Sequence, residues 1–106
     1  MYTCNVNDSE GKEIIPGYRG RFVHSENMTL AYWNITAGAA LPEHTHPHEQ
    51  VVNVIEGTME LTVEGEVYQL GEGSVLVIPG GVPHAGKSIT RCRVIDVFFP
   101  VREDYQ

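Results

Sequence analysis

Three histidines, a glutamate and a glutamine crowd into the seven residues from His44 to Gln50, inside "LPEHTHPHEQVVNVIEG". Side chains alternate across an extended strand. His44 and His46 of "HTH" therefore project from one face, two residue rises apart, and form a chelating pair. If that parity resumes after the bend at Pro47, Gln50 returns to the same face and Glu49 points away. His48 shares the parity but sits beside the proline, where the pleat is least regular, so Gln50 ranks above His48 as a further ligand. Much later, "GSVLVIPGGVPH" delivers one more histidine, His84, after an apolar run and a tight turn. A set of imidazole nitrogens and one amide oxygen suits a single divalent transition metal ion, Mn, Fe, Co, Ni or Zn.

The elements that must position these groups read as strands. Glycine-bearing turns recur every roughly eight to twelve residues between short β-branched runs, the pattern of an all-β sandwich or barrel. "YRGRFVHSENMTLAYWNITAG" predicts two strands joined near "SEN", the second closed by Gly38. "VVNVI", "TMELTV" and "EVYQL", separated by Glu56-Gly57 and Glu64-Gly65, predict an antiparallel meander of hairpins. "VLVI" and the long "RCRVIDVFFP" complete the set. So many short strands in one small chain imply a closed barrel or a two-sheet jelly roll, which pairs away its edges. Residues 1–17 are polar and read as an arm or loop, and residues 100–106 as a polar tail.

At 106 residues the chain is one domain, residues 1–106, large enough to close one core. Fourteen acidic residues against seven basic ones give a formal charge of -7, which disfavours nucleic acid as a partner. The start lacks the order of a signal peptide and no apolar run reaches membrane-spanning length, so the expected location is cytoplasmic, with no membrane partner. Cys4 and Cys92 lie near opposite ends without metal-ligand spacing and read as reduced structural thiols. His24, in "RFVHSEN", reads as a surface residue. "VVNVI" is apolar on both faces, with Val52 and Val54 of one parity and Val51 and Ile55 of the other. Its outer face needs a cover, and a homodimer is expected to supply it.

The two histidine segments together resemble the cupin family. Its first motif runs glycine, HxH, glutamate, glycine, and here Gly38, His44, His46, Gln50 and Gly57 fall at those spacings. Its second runs glycine, PxG, histidine, asparagine, matched by Gly73, Pro79, Gly81, His84 and Ser88. The resemblance covers residues 38–57 and 73–88. It implies the double-stranded β-helix, with one metal inside the barrel on His44, His46, Gln50 and His84. Gln50 replaces glutamate and Ser88 replaces asparagine. Glutamine ligates only through a neutral oxygen, so the metal keeps more of its charge, which favours Lewis-acid work over oxidative turnover.

"HTHPHEQ" together with the ending "DVFFPVREDYQ" resembles, more narrowly, the small single-domain cupins of the KdgF type. Val101 departs from that pattern, which has a proline there. Those enzymes linearise 4,5-unsaturated uronate monosaccharides from pectin and alginate to the open-chain keto acid. The resemblance implies Asp96, Phe98 and Arg102 as the organic part of the site and a small anionic sugar as substrate. Parity agrees, since Asp96 and Phe98 share one strand face. Other readings of these residues are a salt bridge from Asp96 to Arg93 or Arg102, a core aromatic for Phe98 and a surface charge for Arg102. At the level of function the alternatives are a metal-dependent cupin dioxygenase, a sugar isomerase and a noncatalytic small-molecule-binding cupin, because one fold hosts many chemistries.

Overall fold

A computed structural model describes residues 1–106. Its strands are β1 (Lys12–Ile15), β2 (Tyr18–His24), β3 (Thr29–Ile35), β4 (Ala40–His44), β5 (Glu49–Glu56), β6 (Met59–Val63), β7 (Glu66–Leu70), β8 (Val75–Ile78), β9 (His84–Ser88) and β10 (Cys92–Phe99). Two antiparallel sheets, ordered β1-β2-β3-β10-β5-β8 and β4-β9-β6-β7, form the double-stranded β-helix. No helix is long and apolar enough to cross a membrane.

Alternation decides which residues reach the interior. In β10 the inward set is Cys92, Val94, Asp96 and Phe98, all buried, and in β3 it is Thr29, Ala31, Trp33 and Ile35. β10 is central, with β3 on one side and β5 on the other, so Asp96 lies between Ala31 and Val52 while Phe98 lies between Thr29 and Gln50. This register stacks the barrel in layers. Thr29, Phe98 and Gln50 form one end, and Ile35, Cys92 and Tyr18 close the other. Met59, Leu61 and Leu70 face them from the smaller sheet.

The expected run of hairpins holds only for β6 and β7, joined at Glu64 and Gly65, both at positive φ (49° and 79°), as a two-residue hairpin turn requires. β5 does not pair with β6. It pairs with β10 and β8 in the other sheet, so the chain changes sheets at Gly57. There a positive φ of 86° and the closeness of Cys92 Sγ, 2.8 Å from where a Cβ would stand, require glycine. A short-range turn signal does not distinguish a hairpin from a crossing between sheets.

The first seventeen residues are more than an arm. Val6–Asp8 form a 3-10 turn, and Lys12–Ile15 add β1 to the edge of β2, placing Ile14 and Ile15 at the interior cavity. His24 is likewise not a free surface residue. Its Nδ1 lies 2.8 Å from Thr29 Oγ1 and its Nε2 3.3 Å from the Tyr105 carbonyl, so it ties the tail to β3. Ser88 is fully buried and donates to the Thr90 carbonyl, closing the turn into β10. Both cysteines are free thiols, Cys4 exposed and Cys92 buried.

Candidate metal centre and cavity

β4 and β9 are paired neighbours, and their register sets His44 opposite His84. His46 lies two residues past the end of β4, just before the bend at Pro47 and His48, yet its ring swings to the same side. Centroids are 4.2 Å apart for His44 and His84, and 4.9 Å for His46 and His84. One ligand atom from each of the three histidines falls within 4.8 Å of the others.

The backbone fixes their tautomers. His44 Nδ1 donates to the Pro42 carbonyl (2.9 Å), His46 Nδ1 to that of His48 (3.1 Å) and His84 Nδ1 to that of Val82 (2.9 Å). Carbonyls only accept, so each Nδ1 carries the hydrogen and each Nε2 presents a lone pair. This is the outer-shell arrangement of a metal-ligating histidine. His84 Nε2 is buried with no protein partner. His46 Nε2 faces Gln50 Oε1 at 3.1 Å, two electron-pair donors side by side, an opposition that a cation relieves. Burial, with the Arg102 charge next, pushes His46 down to about 4, and burial also lowers His84. Both rings are therefore neutral at neutral pH, the state ligation needs. The donors present fit a divalent metal held by His44, His46 and His84, with Gln50 Oε1 beside them. His48 is outside the three-histidine group, although its ring packs near Phe98.

Below the histidines lies a cavity of about 130 Å³ whose wall includes Gln50, Asp96, Phe98, Arg102 and Tyr105. At roughly 10–15 Å³ per water-sized occupant it has room for a small molecule of about ten such positions. Asp96 makes no salt bridge. Arg93 pairs with Glu56 on the outside at 3.1 Å, and Arg102 pairs with Asp104. Asp96 Oδ2 instead accepts from Trp33 Nε1 at 3.0 Å, and Oδ1 has no protein partner. Burial pushes the carboxyl up to about 7, against the pull of the nearby Gln50 amide, the Trp33 N–H and the Arg102 charge.

Arg102 is buried rather than a surface charge. Its Nε and NH2 donate to the two oxygens of Asp104 at 2.9 and 2.6 Å, and its backbone N–H donates to Thr29 Oγ1 at 2.8 Å. The guanidinium lies over Phe98 (4.7 Å) and Tyr105 (4.3 Å). The bidentate edge with which an arginine grips a carboxylate is thus held by the tail itself, leaving NH1 without a protein partner. Tyr105, stacked on Phe22 at 4.6 Å, is a wall residue of the cavity and not part of a free polar tail. Tyr18 and Trp33 also line the cavity, a role that sequence does not disclose because an aromatic at an alternating strand position reads as core.

A cupin domain profile matches residues 31–98, and the chain belongs to the cupin family. An uncharacterised protein of Streptomyces coelicolor is 32% identical over 81 residues, which cover 76% of this chain and 77% of that one. Among solved structures the chain resembles KdgF from a Halomonas species (TM-score 0.89, 26% identity, 94% of each chain). It also resembles an RmlC-like cupin from Shewanella frigidimarina (TM-score 0.93, 26% identity, 100% of this chain and 96% of that one).

Proposed function

We propose that this cupin is a metal-dependent enzyme that hydrates and opens 4,5-unsaturated uronate monosaccharides. One observation carries the reading: three clustered histidines, of which His44 and His84 line the cavity, stand beside an unpartnered Asp96 Oδ1 and the Phe98–Arg102 stack. The likeness to KdgF in structure and in the "HTHPHEQ" and "DVFFPVREDYQ" segments supports the substrate class.

A divalent ion on His44, His46, His84 and Gln50 would supply a Lewis acid toward the substrate's oxygens. The protein's own groups do the rest. Phe98 offers a ring face to the sugar, and Arg102 offers its charge and NH1 to the carboxylate, end-on because Asp104 holds the fork. Asp96, with a pKa near neutrality, gives a proton to C4 of the enol ether. Water adds its oxygen to C5 and returns a proton to Asp96. The resulting hemiketal breaks its bond from C5 to the ring oxygen, the C5 hydroxyl proton passing to that oxygen, which leaves a ketone at C5 and a geminal diol at C1 that loses water to give the aldehyde of the open chain. Trp33 holds Asp96 in place throughout.

The test is incubation of metal-loaded protein with unsaturated galacturonate, following loss of the enol-ether absorbance against the metal-free protein and the spontaneous rate. Acceleration by the loaded protein alone is the expected result. No acceleration, or oxygen uptake with an aromatic substrate instead, overturns the reading in favour of another cupin chemistry.

A further inference from the structure

We infer that Tyr18 Oη and Asp96 Oδ1 form a hydroxyl-binding subsite inside the barrel, below the metal centre, for a ring hydroxyl of the sugar acid. Tyr18 begins β2, is 5% exposed, and its hydroxyl has no protein partner. A buried hydroxyl left unpaired costs stability, so its presence where phenylalanine would pack equally well calls for a ligand. The ring meets Trp33 edge-on at 6.0 Å, which fixes where the hydroxyl points. That direction is toward β9, since Tyr18 Oη lies 3.7 Å from the place a Cβ on Gly86 would occupy. Gly86 is two residues from His84 on the same strand face, one pleat below the metal cluster. A side chain there would also meet Leu61 at 2.9 Å, so glycine keeps the approach to Tyr18 open.

The chemistry of the pair selects the ligand. Burial, then the charges of Asp96 and Cys92, push the phenol up to about 12, so it remains a neutral donor. Asp96 Oδ1 is an acceptor. A hydroxyl accepts from the first and donates to the second, whereas a second carboxylate has no hydrogen to give and an alkyl group satisfies neither. Oδ1 can accept this hydrogen and still deliver its own proton. Leu41, Met59 and Leu61 make the surrounding wall apolar, so this is the one polar foothold away from the mouth.

The ligand class rests on the uronate reading, and the experiment separates the two. Galacturonate and cyclohexanecarboxylate share a six-membered ring and a carboxylate, differ in hydroxyls, and lack the enol ether, so neither is turned over. Both are titrated calorimetrically into metal-loaded wild type and Tyr18→Phe. Tyr18→Phe should weaken galacturonate binding roughly five- to tenfold, the net worth of one hydrogen bond. It should leave cyclohexanecarboxylate unchanged and should not lower the melting temperature, because a hydroxyl without a partner contributes no structural bond. Equal weakening of both acids, no weakening of galacturonate, or a lower melting temperature overturns the subsite. If the wild type binds neither acid, the uronate reading falls and the neutral polyol xylitol becomes the probe. Xylitol binding that Tyr18→Phe weakens then upholds the subsite, and its absence overturns that as well.

Discussion

The indole N–H of Trp33 donates to Asp96 Oδ2 at 3.0 Å from β3 to β10, and leaves Oδ1 as the carboxyl oxygen free for the cavity. A buried carboxyl fixed on one oxygen is set for proton transfer on the other. Asp96→Asn should lower turnover by roughly 10²–10⁴ while metal content stays at the parent level. The same variant has a signature in stability. Burial raises the folded pKa of Asp96 from 3.8 to about 7. Its neutral form therefore favours folding fully below the unfolded pKa, and that contribution is lost as pH rises from about 4 through 7. In metal-free protein, the stability of Asp96→Asn relative to wild type should climb across that window and level off above it, by a few kcal/mol at most. His46 has the opposite sign: its depressed pKa costs stability as pH falls from 6.5 toward 4 in both proteins. Denaturant titrations at several pH values check this, and a difference independent of pH argues against a protonated Asp96.

His46→Ala and His84→Ala should each lose the metal and remain folded. The core of Val52, Val54, Leu61, Val94 and their neighbours is held by apolar contacts and strand pairing, and the Nε2 atoms make no strand hydrogen bonds. Elemental analysis beside circular dichroism separates the outcomes. Full metal occupancy in both variants would mean the ion sits elsewhere.

Gln50→Glu adds an anion at a donor 3.1 Å from His46 Nε2 and near the Asp96 carboxyl. Metal retention under chelator should increase, because carboxylate replaces a neutral oxygen. Turnover should fall, since the added charge weakens the electrophile and a second carboxylate raises the pKa of Asp96 further. Faster turnover would count against the Lewis-acid reading.

We propose a homodimer through the outer face of the larger sheet. Val75, Val77 and Phe99 are exposed there, with Val51 and Val97 between them in register. The amino-terminal arm sets Val6 beside Tyr32, Ile55 and Ile95, at a different part of that face. Sedimentation at micromolar concentration should report a dimer, and Val77→Glu should shift it to monomer. A wild-type monomer sinks the proposal.

Period-two alternation made the inward sets of β3, β5 and β10 legible, and with them the shared face of Asp96 and Phe98, because burial on one face forces that pattern. Spacing of HxH and the distant His84 made the histidine group legible as well. What the sequence did not disclose depends on long-range pairing. Nothing local says that β5 leaves β6 for β10, that Ile14 and Ile15 line the interior, or that Asp104 occupies the fork of Arg102. Tyr18 hides for another reason: whether a buried hydroxyl has a partner is a property of the packed barrel, not of the strand that carries it.

The tail supplies the last prediction. Arg102 joins three elements: its backbone N–H reaches Thr29 on β3, its guanidinium stacks on Phe98 of β10 and on Tyr105, and its fork closes on Asp104. Lysine keeps the charge and loses the planar fork and the stacking. Arg102→Lys should therefore loosen residues 103–106, seen as faster amide exchange, and should weaken substrate binding more than it slows turnover. Asp104→Ala distinguishes the two duties of the guanidinium. It removes the ion pair but leaves the charge and both aromatic contacts, so it should speed exchange in the tail while freeing Nε and NH2 for a carboxylate. A lower KM in Asp104→Ala beside a higher KM in Arg102→Lys is the expected pairing. If KM rises equally in both, Arg102 serves only to dock the tail, and the substrate carboxylate binds elsewhere.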